Sequence, residues 1–467
     1  FAEGAFSAAF VPMFSKRLHG EGGLESARSF SDDVLSVFLP ILIALCAIVE
    51  LAMPGVIWLL SDKPVDPTEF DLGVDFARIM FPYIVVISLV TLFTGMLNSV
   101  SRFAPGASFP IILNILLIAA LLVGERAIDN GASIEQVAYG VAATVTAAGV
   151  VQLIWLYVWV RVEGFRPKLL WPRLTPEVKR LGIIALPAAI GGGAYQINTL
   201  LQLYFLNQLE SGSVSYMNYA DRLNQLPLGI IGIALSTAIL PTLSKFVGAK
   251  NREGADRIQS DAIELAMLLT IPAAVALAVC ATPFVTMIFQ GGRFDAADAA
   301  RTGDVLAMLV AGLPAYVLVK VLVPNFYARS DTRTPVYAAF ISLAVFVAFN
   351  IAFLQRFGVV GVAAASVIGA WINVAYLYIV LAHRGYYRIH GALVLRIARQ
   401  LVAAAAMGAA MWYARDLLTV YFAAGVIERL FALLVLVAAS VVVYFGVAWM
   451  VGAVDRQRIA TLTKKAS

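Results

Sequence analysis

The chemistry this sequence offers is concentrated in four polar side chains at the head of an apolar stretch. Residues 214–245 read VSYMNYADRLNQLPLGIIGIALSTAILPTLSK, and Asn218, Asp221, Arg222 and Gln225 all fall in the first half. The stretch is long enough to cross a bilayer as a tilted helix. Positions i, i+3, i+4 and i+7 share one helical face. An isolated ionised side chain at mid-bilayer costs about 2.5 to 3.5 kcal/mol on insertion scales, so charges kept there face protein or water. This face is therefore expected to line a cavity. A second reading stays open, in which Asp221 and Arg222 merely neutralise neighbours and pin helices together.

Lys320 is a further candidate. It lies between Pro314 and Pro324 in another apolar run, either as a ligand contact or as a side chain that snorkels to the surface. Bond-making chemistry finds no support. His19, His383 and His390 are too scattered to hold a metal, and no G-x-x-x-x-G-K-[ST] run is present. Cys46 and Cys280 sit inside apolar runs and read as packing residues. No set of nucleophile, base and orienter stands out, so neither a cofactor nor a metal is expected.

The elements that must position these residues are membrane helices. Of 467 residues, 61% are hydrophobic and 13% charged, and the mean hydropathy is +0.85, which excludes an ordinary soluble protein. Apolar windows predict a partial helix at 4–15. Full spans come near 34–60, 77–99, 108–124, 136–160, 180–206, 214–243, 261–289, 303–325, 335–354, 359–382, 396–414 and 429–452. Most of the 34 Lys and Arg then fall in alternate loops, including 161–180, 245–257 and 384–399. The acidic loop with Asp66, Glu69, Asp71 and Asp75 lies on the other side. The positive-inside rule makes the basic side cytoplasmic, with the C-terminus on it. The net charge of +5 thus reports topology, and nucleic acid is not an expected partner.

The chain also repeats itself. From Ser7 and Ser236 the register holds at an offset of 229, so that Pro12 meets Pro241, Lys16 meets Lys245 and Pro54 meets Pro283. Asn98 and Arg102 are paired with Asn325 and Arg329, and Pro82 and Ser88 with Pro314 and Lys320. Matching helices lie on the same side of the membrane, so the copies are parallel. The expected fold is an all-α polytopic membrane protein of two parallel six-helix lobes plus a C-terminal helix pair. The N-terminal lobe covers 1–160, a cytoplasmic linker 161–179, the C-terminal lobe 180–383, and an additional two-helix segment with its tail 384–467. The added pair is either a stabilising appendage or a lipid-facing wall.

At FAEGAFSAAFVP, at SGSVSYMNYADRL (211–223) and at KVLVPNFYARSDTRTP (320–335), the chain resembles the MurJ (MviN) family of lipid II flippases, within the multidrug/oligosaccharidyl-lipid/polysaccharide exporter superfamily. The resemblance runs over essentially the whole chain. It implies a fourteen-helix inner-membrane protein that moves an undecaprenyl-pyrophosphate-linked disaccharide pentapeptide across the bilayer by alternating access. Membrane lipids would be its surroundings, and a coupling cation stays open as a partner. On this resemblance the chain begins within the second helix, with the first helix and its cavity arginines missing. Glu3 matches the acidic residue of the F-A-E-G motif, while Asp221 and Arg222 match A-D-R. Gln225 stands where the family commonly has Glu, which puts a proton- or cation-sensing role there in doubt. A planar Arg fork suits the pyrophosphate of such a cargo.

Two rivals are weighed against this reading. A cation-coupled exporter of amphiphilic small molecules or other lipid-linked oligosaccharides would need a cavity rich in carboxylates and aromatics. A membrane-embedded glycosyltransferase would need clustered acidic or His residues at a surface loop. Pro187 followed by Gly191, Gly192 and Gly193 marks a hinge or a site of close helix packing. If it is a hinge, replacing all three glycines by Ala slows transport in a reconstituted assay while cargo binding is nearly unchanged; an unaltered rate leaves packing as the explanation.

Overall fold

The computed structural model describes residues 2–20, 22–61, 66–418 and 425–453, and the side chains at 2–5, 8, 186–195, 233, 237 and 426 fall outside the described residues. Glu3, Pro187, Gly191, Gly192 and Gly193 lie outside them on that account. In hydrocarbon a chain must satisfy its backbone polar groups internally, and a helix does so within one segment. Among the described residues every regular element is helical, and ten helices are long and apolar enough to cross a membrane. The chain divides into two compact units, 1–200 and 201–467.

Unit 1 contains α1 (Ala2–Leu18), α2 (Gly23–Leu60), α3 (Pro67–Met80), α4 (Tyr83–Ser99), α5 (Ala104–Asp129), α6 (Ile134–Val162) and most of α7 (Pro176–Leu206). Phe6, Phe10 and Phe14, four residues apart, form a ladder along α1 with ring centroids 5.3 and 5.4 Å apart. Phe38, Phe30 and Phe165 close on the ladder from α2 and from the segment after α6. On α5, by contrast, Ile111, Ile115, Ile118 and Leu122 are exposed along one face, the stripe expected of a helix solvated by lipid. The linker expected at 161–179 is not a free tether. Asp32 accepts the Lys168 N–H at 2.8 Å and Ser36 the Leu170 N–H at 2.7 Å, strapping it along α2.

Unit 2 contains α8 (Ser213–Pro227), a π turn (Leu228–Ile233), α9 (Ala234–Gly248), α10 (Arg252–Val279), α11 (Ala281–Phe289), α12 (Ala296–Val310), α13 (Leu313–Tyr327), α14 (Arg333–His383), α15 (Gly391–Leu417) and α16 (Val426–Met450). The added pair α15–α16 shares the main core of the unit with α10. Ala403, Ala404 and Met407 are buried there. Arg396 pairs with Glu264 at 2.7 Å, and the Tyr444 hydroxyl donates to the Leu268 carbonyl at 2.9 Å.

Several spans anticipated as single helices are interrupted. The span at 77–99 breaks at Phe81 and Pro82, that at 261–289 at Cys280, and that at 303–325 at Ala311 and Gly312. Residues 214–243 break at the π turn, where Pro227 withholds an N–H and Gly229 and Gly232 lower the resistance to rewinding. In α14 the break is Gly358, at φ 55° and ψ −142°, between the spans expected at 335–354 and 359–382.

The two units repeat in backbone detail. Arg102 N–H closes on the Leu97 carbonyl around Ser101 at φ 61°, and Asp331 N–H closes on Phe326 around Ser330 at φ 60°. The offset is 229, so Arg102 answers Asp331, and the sequence pairing of Asn98 and Arg102 with Asn325 and Arg329 is two residues out of register. Arg28 donates to the Gly164 carbonyl and Arg252 to that of Gly385, tying the head of α2 to the turn after α6 and the head of α10 to the turn after α14. Both arginines open the pattern R-x3-D-x3-S, at Arg28, Asp32, Ser36 and at Arg252, Asp256, Ser260. An ion pair recurs with its charges exchanged: Arg102 with Glu163 at 2.8 Å in unit 1, Asp331 with Arg384 at 2.5 Å in unit 2.

Gly358 occupies a conformation that a Cβ disfavours, although no atom lies within 4 Å of where one would stand. Gly358→Ala should therefore destabilise by backbone strain alone, by about 1 to 3 kcal/mol, read as a lowered thermal transition of the detergent-solubilised chain.

Candidate functional site

α8 is amphipathic in an unusual sense. Ser213, Tyr216, Met217, Ala220, Leu223 and Asn224 form its buried side. The Tyr216 hydroxyl donates to Asp298 on α12 at 2.8 Å, and Arg301 pairs with Glu210 at 2.9 Å, so the head of the helix is pinned. The tyrosine next to Asn218, Tyr219, packs its ring 4.7 Å from Phe289 and 5.2 Å from Phe294. With the helix fixed, the opposite side carries the polar quartet: Asn218, Arg222 and Gln225 are exposed and Asp221 is half-buried.

Within the quartet the partnering is specific. Gln225 Nε2 donates to Asp221 Oδ2 at 2.5 Å, one turn back along the helix. Arg222 makes no hydrogen bond or ion pair among the described residues. Asp221 and Arg222 therefore do not neutralise each other by direct contact, and Arg222 keeps a planar fork of donors for something else.

Beyond Pro227 the π turn adds about one residue to the winding and rotates the face of α9 by about 100° relative to that of α8. Gly232 then meets α13. A Cβ there would lie 2.7 Å from Cδ of Lys320, so the aliphatic stem of Lys320 crosses the turn directly over Gly232 and a larger residue there would push the stem aside. Lys320 is half-buried and makes no hydrogen bond or ion pair among the described residues. Gly232 is ten residues, about 15 Å of helix, beyond Arg222, so Lys320 belongs to the turn more than to the quartet. Tyr316, one turn before Lys320 on α13, is in electrostatic reach of Asp221, and α13 thereby flanks both features. Tyr316 was not among the sequence candidates; its spacing of four from Lys320 is the signal that could have found it. Among the described residues no group of three or more His, Cys, Asp or Glu could hold a metal. Cys46 and Cys280 are free and buried.

Comparison with known proteins gives a consistent result. The family model described as "Lipid II flippase MurJ" matches residues 1–450. A probable lipid II flippase MurJ from Rhizobium meliloti (strain 1021) is 40% identical over 469 residues, spanning 100% of this chain and 87% of the relative. The lipid II flippase MurJ of Burkholderia cenocepacia is 32% identical over 467 residues, spanning 97% and 87%. A solved lipid II flippase MurJ in an inward closed conformation has a TM-score of 0.76 at 23% identity, over 96% of this chain and 88% of that one. An inward-facing multidrug resistance MATE transporter of the MOP superfamily has a TM-score of 0.67 at 16% identity, over 82% and 86%. At such identities the two structures speak for the fold.

Lys320→Met keeps the stem over Gly232 and loses no ion pair, so it should leave the thermal transition of the purified chain within a degree or two, about 0.5 kcal/mol in a chain of this size. A fall well beyond that would reveal a partner for the ammonium.

Proposed function

Because the chain belongs to the lipid II flippase MurJ family, a family of membrane transporters and not of enzymes, we propose that it carries lipid-linked peptidoglycan precursor from the cytoplasmic to the periplasmic leaflet by alternating access. The cargo is an undecaprenyl-pyrophosphate-linked disaccharide pentapeptide. Its polar head crosses through a water-filled cavity, while the polyprenyl tail stays in lipid. Asn218, Asp221, Arg222 and Gln225 line that cavity, and Lys320 stands at the turn beyond them. The protein sits in the bacterial inner membrane with its C-terminus in the cytoplasm.

The observation that carries this reading is the guanidinium of Arg222, which has no partner among the described residues and is exposed on its helix face. A charge in an apolar span with no partner is costly, and a pyrophosphate head supplies two oxygens to a planar fork. Asp221 is held by Gln225, so it shapes the site without cancelling the arginine. Multidrug resistance MATE transporters share the fold, and the pairing of Asp221 with Gln225 leaves the quartet a cation free among the described residues, which suits an anionic cargo.

Depletion of the protein in its host is expected to accumulate precursor in the cytoplasmic leaflet; no accumulation would defeat the proposal. In reconstituted vesicles, Arg222→Lys should impair flipping almost as much as Arg222→Ala, because the ammonium keeps the charge and loses the fork. The double variant Asp221→Asn with Arg222→Gln separates binding from structure. A folded, inactive protein supports cargo binding by Arg222, and one that flips precursor at the parental rate removes Arg222 from the site.

A further inference from the structure

A second polar site lies outside the quartet, where the turn between α13 and α14 meets the end of α14. There a pocket of about 570 Å³ is lined by Arg329, Asp331, Arg333, Tyr337, Tyr376 and Arg384, among others. The flanking helices 296–327 and 333–383 are both long and apolar enough to span the membrane, so the pocket opens at a membrane surface. Tyrosines and basic residues at that level are suited to contact headgroups.

Its charges do not balance. Asp331 is the one carboxylate among the described lining residues, against three guanidiniums. It accepts the backbone N–H groups of Arg333 and Thr334 at 3.0 Å each, the Thr334 hydroxyl at 2.6 Å and Arg384 at 2.5 Å. Burial pushes its carboxyl up, but the Thr334 hydrogen bonds and Arg384 outweigh that and hold it at about 2, so it stays anionic and saturated with donors. Arg329 is fixed by donation to the Asn325 carbonyl at 2.9 Å and by stacking 4.4 Å over the Tyr386 ring. Arg333 is exposed and makes no side-chain hydrogen bond or ion pair among the described residues.

Comparison of the two units shows that the scaffold does not need this surplus. Unit 1 builds the same turn, with the same ion pair reversed as Arg102 and Glu163. At the offset of 229, Val100, Ala104 and Ser108 stand there in place of Arg329, Arg333 and Tyr337. Asp331 itself has a structural reason, since it caps an N–H of Thr334 where unit 1 has Pro105 with none to cap. Arg384 is engaged by Asp331 and Arg329 by Asn325 and Tyr386, which leaves Arg333 with no such reason.

We propose that this pocket binds a phosphate group, presented by an anionic lipid headgroup or free in solution. Arg333 supplies unpaired donors, Arg384 its remaining ones, and Arg329 a fixed charge behind them. The site is distinct from the α8 face and does not depend on the cargo assigned there.

The test uses the full chain in phosphatidylcholine nanodiscs doped with phosphatidylglycerol, with bound lipid counted by native mass spectrometry after release. Arg333→Gln should lower the phosphatidylglycerol adduct about tenfold, the loss of one charge-assisted pair, and Arg333→Lys should retain part of it. Arg356→Gln, an exposed arginine elsewhere on α14, should change nothing. Thermal transitions at the parental temperature check folding. A second arm titrates inorganic phosphate. Displacement of the adduct at millimolar concentration shows that the phosphate group alone is recognised, and an adduct that resists phosphate yet depends on Arg333 identifies the lipid headgroup as the ligand. Equal adduct in the parent and both Arg333 variants, or equal loss in Arg356→Gln, overturns the proposal.

Discussion

Backbone hydrogen bonding in a medium without water governs this structure. Each segment that crosses hydrocarbon must close its own N–H and C=O groups, and the chain answers with helices throughout its described residues. Departures are confined to places with a local cause. Pro82 heads α4, Gly312 heads α13, Pro227 precedes the π turn and Gly358 divides α14. The α8–α9 span is both rewound mid-course and polar on one face, so altered winding and exposed charge occur on one element. That coincidence is common where a membrane helix serves transport.

Charge placement obeys a similar economy. Within each unit most ion pairs lie near helix ends: Arg17 with Glu177, Arg102 with Glu163, Arg301 with Glu210 and Asp331 with Arg384. Such exposed pairs each contribute little, about 0 to 1 kcal/mol, and their value is in fixing which turn meets which helix. Arg222 and Lys320 break that pattern, since each lies within an apolar run and makes no ion pair among the described residues. The two kinds of charge are thereby separated into structural and available ones.

Much of the fold was legible from hydropathy because span length and loop charge are set by the bilayer rather than by tertiary detail. The helical interruptions were less so. A window average cannot tell one helix of 29 residues from two joined at Cys280, and a proline such as Pro12 sits inside a continuous helix while Pro227 precedes a rewound turn. For the quartet, periodicity gave the shared face, because α8 is regular over its length. The partnering of Asp221 with Gln225 in preference to Arg222 was not readable, since adjacent residues point about 100° apart and residues four apart are stacked. The strap of 165–170 on α2 was missed for a different reason: Arg28, Asp32 and Ser36 are ordinary in isolation, and only their recurrence as Arg252, Asp256 and Ser260 marks them. Register in the repeat slipped by two because Asn and Arg were matched by type, whereas the backbone turn is anchored by Ser101 and Ser330.

The exchanged ion pair has a consequence for how the two halves could have diverged and for how they assemble. Coulomb attraction depends on the product of two charges, so reversing both leaves the turn as well held as before, while reversing one sets like charges face to face. A single step between the two arrangements passes through repulsion or through a neutral residue. Once established, the inversion discriminates: the turn of unit 1 offered to the helix end of unit 2 would set Arg102 against Arg384, and the reverse exchange would set Asp331 against Glu163. Two halves descended from one pattern, inserted into the same membrane during synthesis, thus carry opposite polarities at their matching joints, which disfavours joining one half's turn to the other half's helix.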